Sequence, residues 1–118
     1  MEDAGQSENT IIFFYSDHGT GLPRHKRWLF DTGVKVPLII HIPELYKDLY
    51  PTKPGSEINR LVSFIDLAPT VLKLANAKIP SNMQGNAFLG KELIQKPKYV
   101  HIARGRMYER YDMQRGVR

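Results

Sequence analysis

Asp17 and His18 stand side by side in the stretch Asn9 to Pro37, NTIIFFYSDHGTGLPRHKRWLFDTGVKVP. An oxygen ligand is followed by a nitrogen ligand, and Gly19 behind them lets the backbone turn so that both reach one point. That donor set suits a divalent metal. The basic cluster Arg24, His25, Lys26 and Arg27 comes next, after Gly21 and Pro23, within reach of an anion held by the same metal. Phosphate or sulfate would fit. An arbitrary Asp-His pair more often caps a turn, so the weight falls on the stretch as a whole.

The elements that must position these residues are legible in the pattern. Ile11 to Tyr15 is an unbroken β-branched and aromatic run, the pattern of a strand buried on both faces of a parallel sheet. Residues 10 to 15 are therefore read as a strand, and 16 to 33 as the functional loop beyond its carboxyl end, where ligands gather in open α/β sheets. Trp28, Leu29 and Phe30 are expected to anchor that loop against the sheet. Val36 to Ile42 reads as a second buried strand opened by Pro37, with His41 as a satisfied core histidine. Pro43 to Gly55 is a Pro-rich surface connection with at most one helical turn, at Glu44 to Leu49.

Asp66 is placed to cap a helix through Ala75, with Pro69 in its first turn. Leu67, Val71, Leu74 and Ala75 share one face of it, a stripe to be buried against the sheet. Tyr99 to Ala103 is a third strand candidate, in which His101 is a packing residue. Arg104 to Asp112 is read as a basic turn and Gln114 to Arg118 as a last short strand. At the other end, Met1 to Glu8 suits the tail of a helix stopped at Gly5. The class is α/β.

Composition narrows the partners. The chain has 118 residues and a formal net charge of +5. The excess lies in the seven Lys and Arg residues from Lys96 onward, set against Glu109 and Asp112. No nucleic-acid reader motif and no regular alternation of aromatic and basic residues accompany it, so nucleic acid is not an expected partner. There is no cysteine, hence no thiolate metal site and no disulfide framework. No apolar run approaches membrane-span length, and Met1 to Glu8 lacks a signal peptide's apolar centre.

The ordered pattern of an apolar strand, Ser16-Asp17-His18-Gly19, a loop, Lys26, then Asp31-Thr32-Gly33 and Val34-Lys35-Val36-Pro37 resembles the sulfatase family of the alkaline phosphatase superfamily. Asp66-Leu67-Ala68-Pro69-Thr70 and the loop Met83 to Gly90 are similar to a helix and loop of the same family, and Ala103 to Asp112 to a turn found in part of it. The resemblance implies an alkaline-phosphatase-like sandwich with a mostly parallel central sheet, of which 118 residues form only a carboxyl-side part. It also implies that Asp17 and His18 are metal ligands and that Lys26 binds the sulfate ester oxygens. His25 becomes a candidate proton donor, Asp31 a residue that fixes the loop, and Arg104 and Arg106 candidate substrate contacts through their bidentate forks. The alternative for Arg104 is a turn salt-bridged to Glu109 and Asp112.

Calcium is the first metal to consider, with manganese or another transition metal admitted because His18 stands where the family more often has Asn. The family nucleophile, a formylglycine made within a Cys/Ser-x-Pro-x-Arg motif, has no counterpart in these residues. The chain alone is therefore expected to be inactive. The resemblance points to a sulfated small molecule or polysaccharide as substrate and to a periplasmic, extracellular or lysosomal setting. Two other readings stand beside it. One is a phosphonate monoester or phosphodiester hydrolase of the same superfamily, and the other a noncatalytic anion-binding fragment. An uncovered sheet face is expected to promote self-association.

Overall fold

The computed structural model describes residues 3–50, 52–91 and 96–118. They fall into two compact units, one made of Met1–Thr10 and Ile42–Lys98, the other of Ile11–His41 and Tyr99–Arg118.

The second unit carries all four strands. β1 (Ile12–Tyr15) and β2 (Leu38–His41) pair antiparallel, with Ile12 opposite His41 and Tyr15 opposite Leu38. β3 (His101–Met107) and β4 (Arg110–Val117) form a second antiparallel pair. The expected parallel arrangement therefore does not occur among the described residues. The reason is local: the 22 residues between β1 and β2 form loops and a short helix, α1 (Asp31–Val34), which bring the chain back beside β1 in the opposite sense. Nor is β1 buried on both faces. Phe14 is 63% exposed and its partner Ile39 62%, whereas Phe13 and Ile40 on the other face are half-buried. His41, read as a core residue, is exposed for the same reason.

The basic segment Arg104 to Asp112 is not one long turn. Most of it is strand, and the reversal is the two-residue Tyr108-Glu109 connection, where Tyr108 takes a φ of 54°. A hairpin of this tightness needs positive φ at its tip, a demand usually met by Asn or Gly. Arg104 pairs with Gln114 and Arg106 with Tyr111, so Asp112 and Met113 together face Gly105. This bulge bends β4 and turns the Asp112 carboxylate toward the Arg104 guanidinium, with which it pairs.

In the first unit, α2 (Leu67–Leu74) follows a 3₁₀ turn at Phe64–Asp66. Pro69 stands in its first turn, where a missing N–H costs nothing. Asp66 is buried, yet it does not cap α2 with its side chain. Its Oδ2 accepts the Ser63 N–H at 2.8 Å and its Oδ1 the Asn86 N–H at 2.8 Å. The hydroxyl of Thr70 donates to the Asp66 carbonyl at 2.6 Å and accepts the Phe88 N–H at 3.1 Å. These bonds lash the buried segment Ala87, Phe88 and Leu89 onto the helix. The helix buries Pro69 and Thr70. The expected Leu67, Val71, Leu74 and Ala75 stripe is not its buried face, since Val71 is 50% exposed and Ala75 is exposed as well.

Asp66→Ala therefore leaves two backbone N–H groups without acceptors, and the expected cost is about 2–3 kcal/mol. A lowered denaturation midpoint with an unchanged m-value checks it. Elsewhere in this unit the connection at Glu44–Leu49 is two short 3₁₀ turns joined at Tyr46. The amino end shows a 3₁₀ turn at Ser7–Asn9 after Gly5, which takes a φ of 64°, in place of a helix tail. Met1 and Glu2 of that expected tail, and Pro51 of the connection, lie outside the described residues. Among the described residues no helix is long and apolar enough to cross a membrane.

Candidate functional site

The loop after β1 closes on itself before it presents any side chain. The Gly19 N–H donates to the Gly33 carbonyl at 3.1 Å, and the Lys26 N–H to the Thr20 carbonyl at 3.0 Å. The approach is close at both glycines. A Cβ on Gly19 would collide with the Thr32 carbonyl oxygen, and one on Gly33 with the carbonyl oxygens of His25 and Trp28. The Thr32 hydroxyl adds a bond to the Arg24 carbonyl at 3.1 Å. Asp31 forms an ion pair with Arg118, which ties the start of α1 to the end of the chain. Phe30 lies parallel to Trp28 with centroids 5.7 Å apart, and remains 55% exposed.

At the mouth of this loop Asp17 and His18 face each other. The imidazole Nδ1 is 2.6 Å from the Gly19 carbonyl oxygen, which can only accept, so Nδ1 carries the proton and donates it there. Nε2 then keeps its lone pair, and it lies 3.4 Å from Asp17 Oδ1. Two donors held at a right angle about one cation, 2.0–2.4 Å from each, are about 3 Å apart. The pair fits a shared divalent ion. The Ser16 hydroxyl donates to the His18 carbonyl at 2.7 Å and steadies the turn, while the Asp17 carboxyl side chain is 84% exposed. Among the described residues no cluster of three or more His, Cys, Asp or Glu is placed to hold a metal, so the pair could offer a cation two donors at most.

His25 Nδ1 and the Thr20 hydroxyl share a hydrogen bond at 2.8 Å. Lys26 is exposed, and only its backbone N–H takes part in the loop's bonding.

The two arginines nominated from sequence differ sharply. Arg104 is only 7% exposed: Nη1 donates to the Arg27 carbonyl at 2.8 Å, Nη2 pairs with Asp112, and the group lies 4.9 Å from the Trp28 ring centroid. Its fork is occupied within the protein. That use compensates a strained backbone, because Arg27 holds a φ of 69°, a conformation that costs a non-glycine residue about 1–3 kcal/mol. Arg106 is exposed, its guanidinium 4.8 Å from the Tyr111 ring centroid. Arg27 lies likewise 5.0 Å from the Tyr108 ring. The sequence placed Arg27 in the basic cluster but gave it no role of its own; its pairing across 81 positions with Tyr108 has no local signal.

An Asp-His pair at a strand end, beside a loop rich in cations, brings together residue types able to hold a divalent ion next to an anion. Comparison with known proteins makes this specific. Residues 21–116 match the family model for N-sulphoglucosamine sulphohydrolase, C-terminal, and the chain belongs to that sulfatase family. An ulvan-active sulfatase of Formosa agariphila is 42% identical over 120 aligned residues, which cover 100% of this chain and 19% of the relative. An N-acetylglucosamine-6-sulfatase of Bos taurus is 38% identical over 95 residues, 75% of this chain and 16% of the relative. For an N-acetylglucosamine-6-O-sulfatase of Bacteroides thetaiotaomicron the identity is 35% over 89 residues, 72% of this chain and 15% of the relative. The chain thus spans less than a fifth of the length of these relatives. No solved structure gives a significant match.

Proposed function

We propose that this chain is a carboxyl-side part of a sulfatase catalytic domain, and that its loop 16–33 contributes metal and sulfate-binding residues to the hydrolysis of a sulfate ester. The observation that carries the reading is the 3.4 Å approach of His18 Nε2 to Asp17 Oδ1, with Nδ1 committed to Gly19. In the complete fold these residues stand at the carboxyl end of a strand belonging to a larger, mostly parallel sheet. The nucleophile, a formylglycine, lies on a segment outside these residues. The bound divalent cation supplies Lewis-acid stabilisation of charge on the ester oxygens. Calcium is the first candidate, and the imidazole donor favours manganese or another transition metal.

Within that site Asp17 and His18 hold the cation. Lys26 directs its ammonium to the nonbridging ester oxygens, where charge develops during cleavage, and Arg106 contacts the substrate from the hairpin. His25, bonded to Thr20, is assigned the transfer of a proton to the leaving group. Arg104 supports the Arg27 backbone from below. The substrate is a sulfated sugar or polysaccharide, in keeping with the sugar-sulfate names of the relatives. Exposed Phe14 and Ile39 favour self-association of the isolated chain.

Lys26→Ala in a complete enzyme is the experiment for this assignment. Turnover is expected to fall about 10²-fold, the scale of losing one charge-stabilising donor, with metal content unchanged. Near wild-type kcat would remove Lys26 from the mechanism.

A further inference from the structure

The β3–β4 hairpin and the segment around Trp28 border an open cleft of about 610 Å³, a size that takes a small-molecule ligand and exceeds what one sulfate fills. His18 lines it together with Arg27, Arg106, Tyr108 and Glu109. Arg27 and Arg106 share a distinctive state. Each guanidinium is held against a tyrosine ring, at 5.0 Å for Arg27 and 4.8 Å for Arg106. Neither makes an ion pair or hydrogen bond from its guanidinium among the described residues. Both are exposed. Arg104 beside them is the contrast, since it is buried and neutralised by Asp112.

A guanidinium resting on an aromatic face is already ordered, so little entropy is lost when its edge N–H groups meet an anion. The cleft therefore holds two uncompensated cations, at the side of the loop that carries the proposed metal ligands. A substrate with a single anionic group would leave both unanswered once that group engaged Lys26 and the cation.

We propose that Arg27 and Arg106 form a subsite for a second anionic group, a sulfate or carboxylate on the sugar next to the ester that is cleaved. The proposal rests on the sulfatase reading for the position of that ester. Glu109 on the cleft wall sharpens the chemistry. A carboxylate there accepts hydrogen bonds from sugar hydroxyls, so the occupant carries free hydroxyls beside its anionic groups, as an acidic oligosaccharide does.

The test is calorimetric titration of the complete parent protein with a disulfated disaccharide, its monosulfated counterpart and a single-stranded oligonucleotide. The disulfated probe is expected to bind about tenfold tighter than the monosulfated one, the scale of one charge-assisted contact. Arg27→Gln and Arg106→Gln each bring the two affinities within about twofold, whereas Arg110→Gln, on the same hairpin but outside the cleft, preserves the preference. Arg27→Lys keeps the charge and the fold but loses the fork, and lowers the preference in part. Equal binding of the two disaccharides overturns the subsite. So does equal loss in Arg110→Gln and Arg27→Gln, which would mean diffuse attraction, or tighter binding of the oligonucleotide through the same arginines. Because the readout is binding, any of these results removes the subsite while the Lys26 turnover experiment judges the sulfatase reading separately.

Discussion

Asp17→Ala in the complete parent sulfatase is expected to lower kcat on the order of 10³-fold and to strip the bound cation. Asp17 offers the anionic oxygen of the pair, and its Oδ1 lies 3.4 Å from the imidazole nitrogen with which it would share the ion. Without it, His18 Nε2 is a lone neutral donor, and the remaining positions must be filled by water or by ligands from other segments. The loss should be chemical and not structural. The Asp17 side chain is 84% exposed and supports no hydrogen bond of the loop, so the melting temperature of the metal-free protein should barely change. Asp17→Asn keeps an oxygen ligand without its charge and should fall between the two. Kinetics combined with elemental analysis of the purified variants checks all three statements.

Gly33→Ala is expected to do the opposite, harming the site by breaking its frame. A methyl group there enters the space of two backbone carbonyl oxygens, those of His25 and Trp28. Backbone on both sides cannot swing away as the end of a side chain would. Relief requires α1 to move off the 24–28 segment, which breaks the Gly19–Gly33 hydrogen bond that closes the loop. The cost is about 3 kcal/mol, the upper end for overpacking. In a marginal domain that is a large share of the total stability. Denaturant titration should show a lowered midpoint. In a parent that still folds, metal affinity and Lys26-dependent turnover should decline together, because residues 17, 18 and 26 all hang from this closure. A wild-type midpoint would show that the loop is looser than this packing requires.

How far the sequence revealed these features depended on whether the cause was local. The β-branched run of β1, the Pro that opens β2 and the Asp66-to-Thr70 segment all carry their signals within a few residues, and each element formed close to its expected place. The turn carrying Asp17 and His18 was legible for the same reason: where a strand ends at Tyr15, the next residues are freed from its alternation. Strand direction was not legible, since an unbroken apolar run reports burial potential and not the orientation of a partner. Exposed Phe14 and Ile39 show the potential unmet among the residues described.

The hairpin was missed at its tip because Tyr108-Glu109 lacks the Asn-Gly signature, although Tyr108 takes the positive φ such a tip needs. Asp66 was read as the cap of the helix, whereas its carboxylate accepts from Ser63 and Asn86 and leaves the helix uncapped by its side chain. A carboxylate before a helix reads as a cap, whereas the Asn86 N–H it holds lies 20 residues away. Arg104 obeys the same logic. Its neighbours left an anion fork and a salt bridge to Glu109 and Asp112 both open, and the fold selects Asp112 and adds the Arg27 carbonyl, 77 residues away, as the partners of its two Nη groups. Sequence separates candidates by chemistry, while burial decides which of them still has a free hand.

Asp17 and His18 are proposed to be metal ligands of a sulfatase site. The most direct test of that assignment is the metal content of the complete parent protein, measured by elemental analysis for wild type, Asp17→Ala and His18→Ala. A stoichiometric divalent cation is expected in the wild type and its loss in both variants, with the fold intact by circular dichroism. A wild-type metal content in folded Asp17→Ala and His18→Ala would contradict it, and the pair would then be no more than a well-made turn.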